Sequence, residues 1–320
     1  MGRTADWYSN FSRDARGQSQ VYEDWAIGVS GDDPILGLLH ELPLAKRQPN
    51  LIFAVARLLG APEGAYGPFR SWLLEHWPRV RDQALRRSTQ TNEPGRCAAV
   101  LPLLARLPGP LALVEIGASA GLCLYPERYS YRYDAAAPLH PATGPSSVLL
   151  TCETNKVVPM PTAFPTIVWR AGIDLAPLDM RDPDDRTWLE TLIWPEQRER
   201  LARIRSAIEI VVADPPRIVR GDAVDALAEV AAAAPQDATL VVVTCGTLVY
   251  LSRVDRGRFA TAVRGTGAHW ISLEGPAVLD EVQAQLPPPP RDGLFALAEN
   301  ARPVAYAGPH GQSIHWFAST

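Results

Sequence analysis

The sequence predicts an α/β sandwich, a mostly parallel sheet with helices on both faces, preceded by a helical region. Three observations predict it. Up to about residue 108, apolar residues recur at helical spacing and no strand-like run interrupts them. From residue 109 onward, short apolar runs alternate with helical stretches, as a parallel sheet with crossover helices requires. The first of those runs ends in a glycine-rich turn, "VEIGASAGLCL" at 114–124. With 47% apolar residues, the 320-residue chain can build one large domain or two modest ones around a sizeable core.

Within the helical region, "QPNLIFAVARLLG" sets Leu51, Ile52, Val55, Leu58 and Leu59 on one stripe, and Gly60 supplies the stop. "PFRSWLLEHW" and "GRCAAVLPLLARL" continue the pattern, with Pro78 and Pro108 as breaks. Residues 1–108 therefore read as a helical cap and 109–320 as the α/β domain.

The strands follow in order. "LALVEIG" (111–117) is bounded by Pro110 and Gly117, and its unbroken apolar run fits a strand buried on both faces. Further strands are expected at 165–174, 217–222, 238–246 and 268–275, with helices at 195–213, 223–234 and 255–263. An insertion at about 125–165 interrupts the alternation. Its short strands "RYSYRYD" and "SSVLLTCE" are expected as a hairpin near the mouth of the site. "RPVAYAG" and "QSIHWFAST" suit a terminal hairpin, and "PPPP" at 287–290 a stiff connection.

A net charge of −4 argues against nucleic-acid binding through bulk electrostatics. Lys46 and Lys156 are the only lysines, so nearly all positive charge is arginine. Cys97, Cys123, Cys152 and Cys245 form no C-x-x-C pair, which indicates neither a zinc site nor a disulfide framework. The first residues carry no signal-type apolar core, and no apolar run approaches the ~18 residues of a membrane span. These features point to a cytoplasmic protein.

The turn at 117–121 has two chemical readings. Gly117, Ser119 and Gly121 spell G-x-S-x-G, the nucleophile elbow of α/β-hydrolases. A triad can be drawn from Ser119 with Asp222 or Asp214 and with His269, His310 or His315. That fold, however, needs strands ahead of the elbow and a loop that supplies an oxyanion N–H. Here the first convincing strand is the one that carries the motif.

In the other reading, Gly117, Ala118, Ser119 and Gly121 let a cofactor approach the backbone, and a following helix would offer its free N–H groups. Glu115 is placed to contact the cofactor. Asp174, ending the strand in "VWRAGID", suits a ribose diol, which donates two hydrogen bonds. Asp222 and Ala223 in "RIVRGDA" suit an adenine edge, and Asp222 can also cap the next helix. Thr244 ends the fourth strand beside the reacting group, with Tyr250 beyond it. If "RYSYRYD" were the second strand, Asp134 would take the place of Asp174. This order of elements resembles that of class I S-adenosylmethionine methyltransferases, whose Rossmann-like sandwich is the fold it implies.

Several longer segments resemble a bacterial family, domain of unknown function 2332. They are "TQTNEPGRCAAVLP" (89–102), "LVEIGASAGLCL", "RAGIDLAPLD" (170–179), "WPEQRERLARI" (194–204) and "VVVTCGTLVYL". The resemblance implies a fold similar to class I methyltransferases and carries Asn where this chain has Cys123. Asn92, Glu93 and Arg96 in "TNEPGR" then have two accounts: a solvated turn, or a segment closing over the cofactor with Arg96 on a carboxylate. Trp194 is expected to anchor its helix in the core.

The expected function is methyl transfer from S-adenosylmethionine to a small-molecule acceptor, without a metal. Tyr250 or His269 would serve as base where the acceptor has a proton to lose. The alternative is a non-catalytic module on the same fold that binds a nucleoside or a partner. A serine hydrolase using Ser119 is the third reading, and a fluorophosphonate probe separates it from the other two.

Overall fold

The computed structural model describes residues 2–318, so Ser319 and Thr320 of the expected terminal hairpin lie outside the described residues. Local chemistry sets the helix limits. After α1 (Gly2–Ala15), α2 (Gln20–Ser30) starts where the Ser19 hydroxyl accepts the Tyr22 amide. Asp32 caps α3 (Asp33–Leu39) in the same way through Ile35. α4 (Pro49–Leu58) opens on a proline, and the chain leaves it through Gly60 at φ +93°. α5 (Tyr66–Arg86) runs through Pro78, so the break expected there does not occur. The ring removes a bond to the Leu74 carbonyl, but Leu74 and Pro78 lie on the exposed face, where water satisfies that carbonyl. The other helices are α6 (Arg96–Leu104), α7 (Pro183–Thr191), α8 (Arg198–Ala213), α9 (Ala223–Ala232), α10 (Arg253–Gly265) and the short α11 (Asp280–Gln283).

The chain divides into two compact units. One holds the residues up to Thr91 together with Arg181–Arg205; the other holds Asn92–Met180 and the residues from Ser206 on. The helical region read as 1–108 thus divides at Thr91, and α6 belongs with the sheet. An aromatic cluster forms the core of the first unit. Trp25 stacks on Phe69 at 3.8 Å between centroids, and Phe53 meets Trp25 edge-on. The Trp25 indole N–H donates to the Gly64 carbonyl at 2.8 Å. Trp194 packs on Phe11 and Tyr22 and donates to Asn50 Oδ1, while Arg57 of α4 donates to the carbonyls of Thr191 and Ile193. These bonds fix the later segment within this unit.

The second unit is built on a ten-stranded mixed sheet. Its strands are β1 (Leu111–Ile116), β2 (Ser130–Tyr133), β3 (Leu149–Thr154), β4 (Ile167–Asp174), β5 (Arg217–Arg220), β6 (Thr239–Cys245), β7 (His269–Glu274), β8 (Phe295–Glu299), β9 (Arg302–Ala307) and β10 (Ser313–Trp316). They lie in the order β2-β3-β10-β9-β8-β7-β6-β1-β4-β5, with most pairings parallel. The exceptions are β7–β8, β8–β9 and the hairpin β9–β10, which is the expected terminal one. All six residues of β1 are buried, as its continuous apolar run requires. On one face Val114, Ile116, Val242 and Trp270 pack with Leu227 of α9 and Phe259 of α10.

The insertion departs from expectation. β2 and β3 pair in parallel and form the far edge of the sheet, so they make no hairpin. A parallel pair needs a crossover connection, and here an irregular one folds back so that Leu139 bridges Tyr131.

Because Trp25 is fully buried, stacked on Phe69, packed against Phe53 and Tyr22 and bonded through its N–H, Trp25→Ala should destabilise the first unit by about 3–5 kcal/mol. Denaturant unfolding followed by far-UV circular dichroism measures this.

Candidate functional site

β1 delivers its last residues to the carboxyl edge in the middle of the parallel run β5-β4-β1-β6-β7, and the turn after it is held from several sides. Gly117 sits at φ +73°, and a Cβ there would run into the Thr247 side chain. The Thr247 hydroxyl donates to the Ile116 carbonyl at 3.1 Å. Gly121, at φ +76°, lies against Pro216 in the same manner. Ser119 is left-handed at φ +51°, an uncommon state for a non-glycine residue. Its amide is anchored at 2.8 Å on Asp174 Oδ2. Asn92 spans the turn: its Nδ2 donates to the Ala118 carbonyl at 3.0 Å, and its Oδ1 accepts the Leu122 amide at 2.9 Å.

The helix expected after the turn is absent. Leu122–Leu124 and Pro126–Arg128 are short 3₁₀ turns. Pro126 lacks an N–H and disfavours the helical conformation at Tyr125, whose φ and ψ are −124° and 41°. The strand–turn–helix context of a nucleophile elbow is therefore missing as well.

Three expected acids stand at the carboxyl ends of adjacent strands. Glu115 of β1 is buried, and its Oε2 has no hydrogen-bond partner. Desolvation pushes its pKa up to about 8, against the opposing pull of Arg96 and of the nearby Cys123 thiol. Asp174 ends β4, half-buried, with Oδ1 accepting the Ala176 amide. Asp222 follows β5, exposed, and caps α9 by accepting the Val224 amide, with Ala223 the first helical residue. Adjacent strands lie about 4.8 Å apart, and the acids step outward along them: Glu115 is level with Gly172, and Asp174, two residues further on, is level with Arg220.

Other expected residues are placed differently. Asp134 follows β2 at the far edge of the sheet and binds Thr154, so it cannot take the role of Asp174. Thr244 points into the core on the opposite face, accepting the Trp270 indole N–H at 3.3 Å. His269 is the first residue of β7 and pairs with Val241, so it lies at the amino edge, away from the turn. Tyr250 lies at the carboxyl edge, in the turn after β6, with its side chain 78% exposed.

The "TNEPGR" segment is no solvated turn: Asn92, Glu93 and Arg96 are all buried. Glu93 Oε1 accepts the Gly95 amide. Arg96 joins two loops, donating from Nη1 to the Cys245 carbonyl at 2.6 Å and from Nε to the Pro309 carbonyl at 3.1 Å. Both acceptors belong to the main chain, so these bonds hold the edge of the sheet together.

Sequence reasoning missed Glu274, the last residue of β7. It is buried; Oε1 accepts the amides of Thr247 (3.0 Å) and Leu248 (3.2 Å), and Oε2 has no partner. Desolvation raises its pKa to about 7, opposed by those amides and by Arg96 and Arg256. The signal was present in "WISLEG", an apolar strand that ends in an acid and a glycine as "LVEIG" does. Cys97, Cys123 and Cys245 are free thiols, and burial helps to push the latter two far above the ordinary thiol range. Among the described residues, no group of three or more His, Cys, Asp or Glu could hold a metal ion, and no helix is long and apolar enough to cross a membrane.

The profile of a bacterial family, described as "Uncharacterized protein conserved in bacteria (DUF2332)", matches residues 5–316. No curated protein and no solved structure matches the chain.

The two carboxyls make stability depend on pH. Both pKa values lie above the 4.5 of a free glutamate, near 8 for Glu115 and near 7 for Glu274. Between pH 4.5 and those values the folded chain keeps protons that the unfolded chain has released, so stability is greatest at low pH and falls as pH rises. Across that window the loss should be on the order of a few kcal/mol. Glu115→Gln should flatten the decline between pH 5 and 8.5, and adding Glu274→Gln should flatten it further, as measured by denaturant melts at ~0.5 pH intervals.

Proposed function

The chain belongs to the DUF2332 family, and we propose that it is an S-adenosylmethionine-dependent methyltransferase acting on a small molecule at the carboxyl edge of its sheet. One observation carries the reading: Glu115, buried on the middle strand of the parallel run beside a glycine turn, keeps an unpartnered Oε2, with Asp174 and Asp222 at the ends of the next two strands. Open α/β sheets bind ligands at this edge. The run β5-β4-β1-β6-β7 in parallel, with antiparallel β8 outside it, supports a Rossmann-like methyltransferase sandwich.

The residues present fit the cofactor. An ammonium group would satisfy Glu115 Oε2 and draw the carboxyl toward its ionised form. Asp174 accepts one backbone amide on each oxygen, and a carboxylate has about four acceptor sites, so capacity remains for a ribose diol. Asp222 and the start of α9 lie one strand further, where an adenine edge would reach. When bound, the cofactor supplies an activated methyl group on a sulfonium. The chain's part is to align the acceptor, exclude water and take up a proton. Glu274, whose strand position puts it on the sheet face opposite Glu115, replaces His269 and Tyr250 as our candidate base, because it ends its strand at the carboxyl edge with a free oxygen and a pKa near 7.

One observation favours the second reading, a binding module without turnover. Thr247 fills the space against Gly117, and the amides of Ser119 and Leu122 are already accepted by Asp174 and Asn92, so the turn is complete without a ligand.

Isothermal titration with S-adenosylmethionine and S-adenosylhomocysteine should give saturable binding, weakened at least about tenfold in Glu115→Ala. Incubation with a labelled methyl donor and lysate small molecules should transfer label, and Glu274→Gln should reduce the rate by about 10²-fold or more. Binding without transfer supports the module, and no binding at millimolar ligand overturns the methyltransferase reading together with a module that binds this nucleoside.

A further inference from the structure

We infer that the cleft between α10 and the segment after β7 is a second ligand site, one that takes a small monocarboxylate with an apolar body. The cleft has a volume of about 120 Å³, near the roughly 150 Å³ of a cavity known to hold benzene. Its lining includes neither Glu115 nor any residue of the glycine turn. The inference stands apart from the methyltransferase reading.

The walls define the chemistry. Trp270, Val278, Leu279 and Ala260 give apolar surface, while Arg253, Arg256 and Arg264 of α10 share the cleft with Asp280 and Glu281. Three arginines against two carboxylates leave an excess of one positive charge, which suits a monoanion. Arg256 is the fixed cation. Its guanidinium donates to the carbonyls of Leu248, Leu251, Val249 and Val278, all neutral acceptors. The other two arginines are held loosely: Arg253 pairs with Asp280 and Arg264 with Glu281. Arg253 is 83% exposed and Asp280 62%, so water screens their pair and a ligand carboxylate can replace Asp280 at little cost. The planar guanidinium matches a carboxylate in two parallel hydrogen bonds.

Gly257 leaves one wall of the cleft bare. It sits inside a thirteen-residue helix with no positive φ, and a Cβ there would meet nothing within 4 Å. Glycine weakens a helix interior, and the packing around this position gives no reason for it. The residue lines the cleft. The wall is bare there, between the rim arginines, and leaves room for the body of a ligand.

Benzoate is the probe, with benzamide as its neutral counterpart. Saturation-transfer NMR on the full chain should show saturable benzoate binding with a millimolar dissociation constant, and benzamide at least about tenfold weaker. Gly257→Leu puts a side chain into the cleft while improving the helix. Its melting temperature should hold or rise, and benzoate affinity should fall at least about tenfold. Arg264→Gln, on the surface, should weaken benzoate severalfold without changing the melting temperature, and it decides the matter if Gly257→Leu melts lower. The inference is overturned by absent or non-saturable benzoate binding, or by benzamide binding as well as benzoate. It is equally overturned if the stable variants bind benzoate as tightly as the original chain.

Discussion

The pair of hydrogen bonds made by Asn92 is the constraint on which the candidate site rests. After β1 the chain must reverse with its backbone buried, and buried amides and carbonyls need partners. A helix starting at Gly121 would have supplied them; Pro126 opposes it, with no N–H to donate and with Tyr125 turned away from the helical conformation. Asn92 satisfies one carbonyl and one amide of the turn at once, at Ala118 and Leu122. A side-chain amide is suited to this because it donates and accepts from one rigid plane. Asp174 does the same work from the other side on Ser119, which stays in its left-handed conformation only because the surroundings determine it. Together these bonds set the turn that follows Glu115, whose own backbone is held by the ladders to β4 and β6.

Glu115 and Glu274 show desolvation winning over attraction. Both feel Arg96, yet both are pushed above the ordinary carboxylate range. Arg96 directs hydrogen bonds at the main chain of Cys245 and Pro309, so much of its donor capacity goes to holding loops together. The result is two acids of the same edge, on strands flanking β6, each with one oxygen left over. Perturbed carboxyls with unsatisfied oxygens are costly to keep in a core, which is why they mark functional sites more often than packing.

β1, β6 and β7 were legible because a well-buried strand writes itself as an apolar run; β4 and β5, partly exposed, also fall within the segments read from sequence. The acids Glu115, Asp174 and Asp222 were legible for the same reason, since each stands where such a run ends. What failed was non-local. Nothing in "RYSYRYD" says that β2 lies beyond β10, because pairing across the sheet leaves no local period. β8, five residues between Gly293 and Asn300, was too short to stand out from loop. Pro78 was read as a break because its solvent exposure, which makes the missing bond tolerable, depends on tertiary packing. The same blindness put Thr244 and His269 in the site: sequence gave their distance along a strand, whereas face and edge decide what a side chain meets.

Glu274 joins the turn to the rest of the sheet. The Thr247 hydroxyl bonds the Ile116 carbonyl, and the Thr247 and Leu248 amides bond Glu274. The Leu248 carbonyl is held by Arg256, which also holds Val278. An unbroken path of hydrogen bonds therefore runs from the end of β1 through the loop after β6 to α10 and the segment beyond β7. The side chain of Thr247 lies against Gly117, so this loop cannot shift toward β1 without a collision or away from it without breaking bonds to a buried carboxyl. Packed cores respond to such conflicts by switching between discrete arrangements more readily than by bending. The glycine turn and the α10 cleft, though separate in lining, are consequently set by one and the same loop conformation.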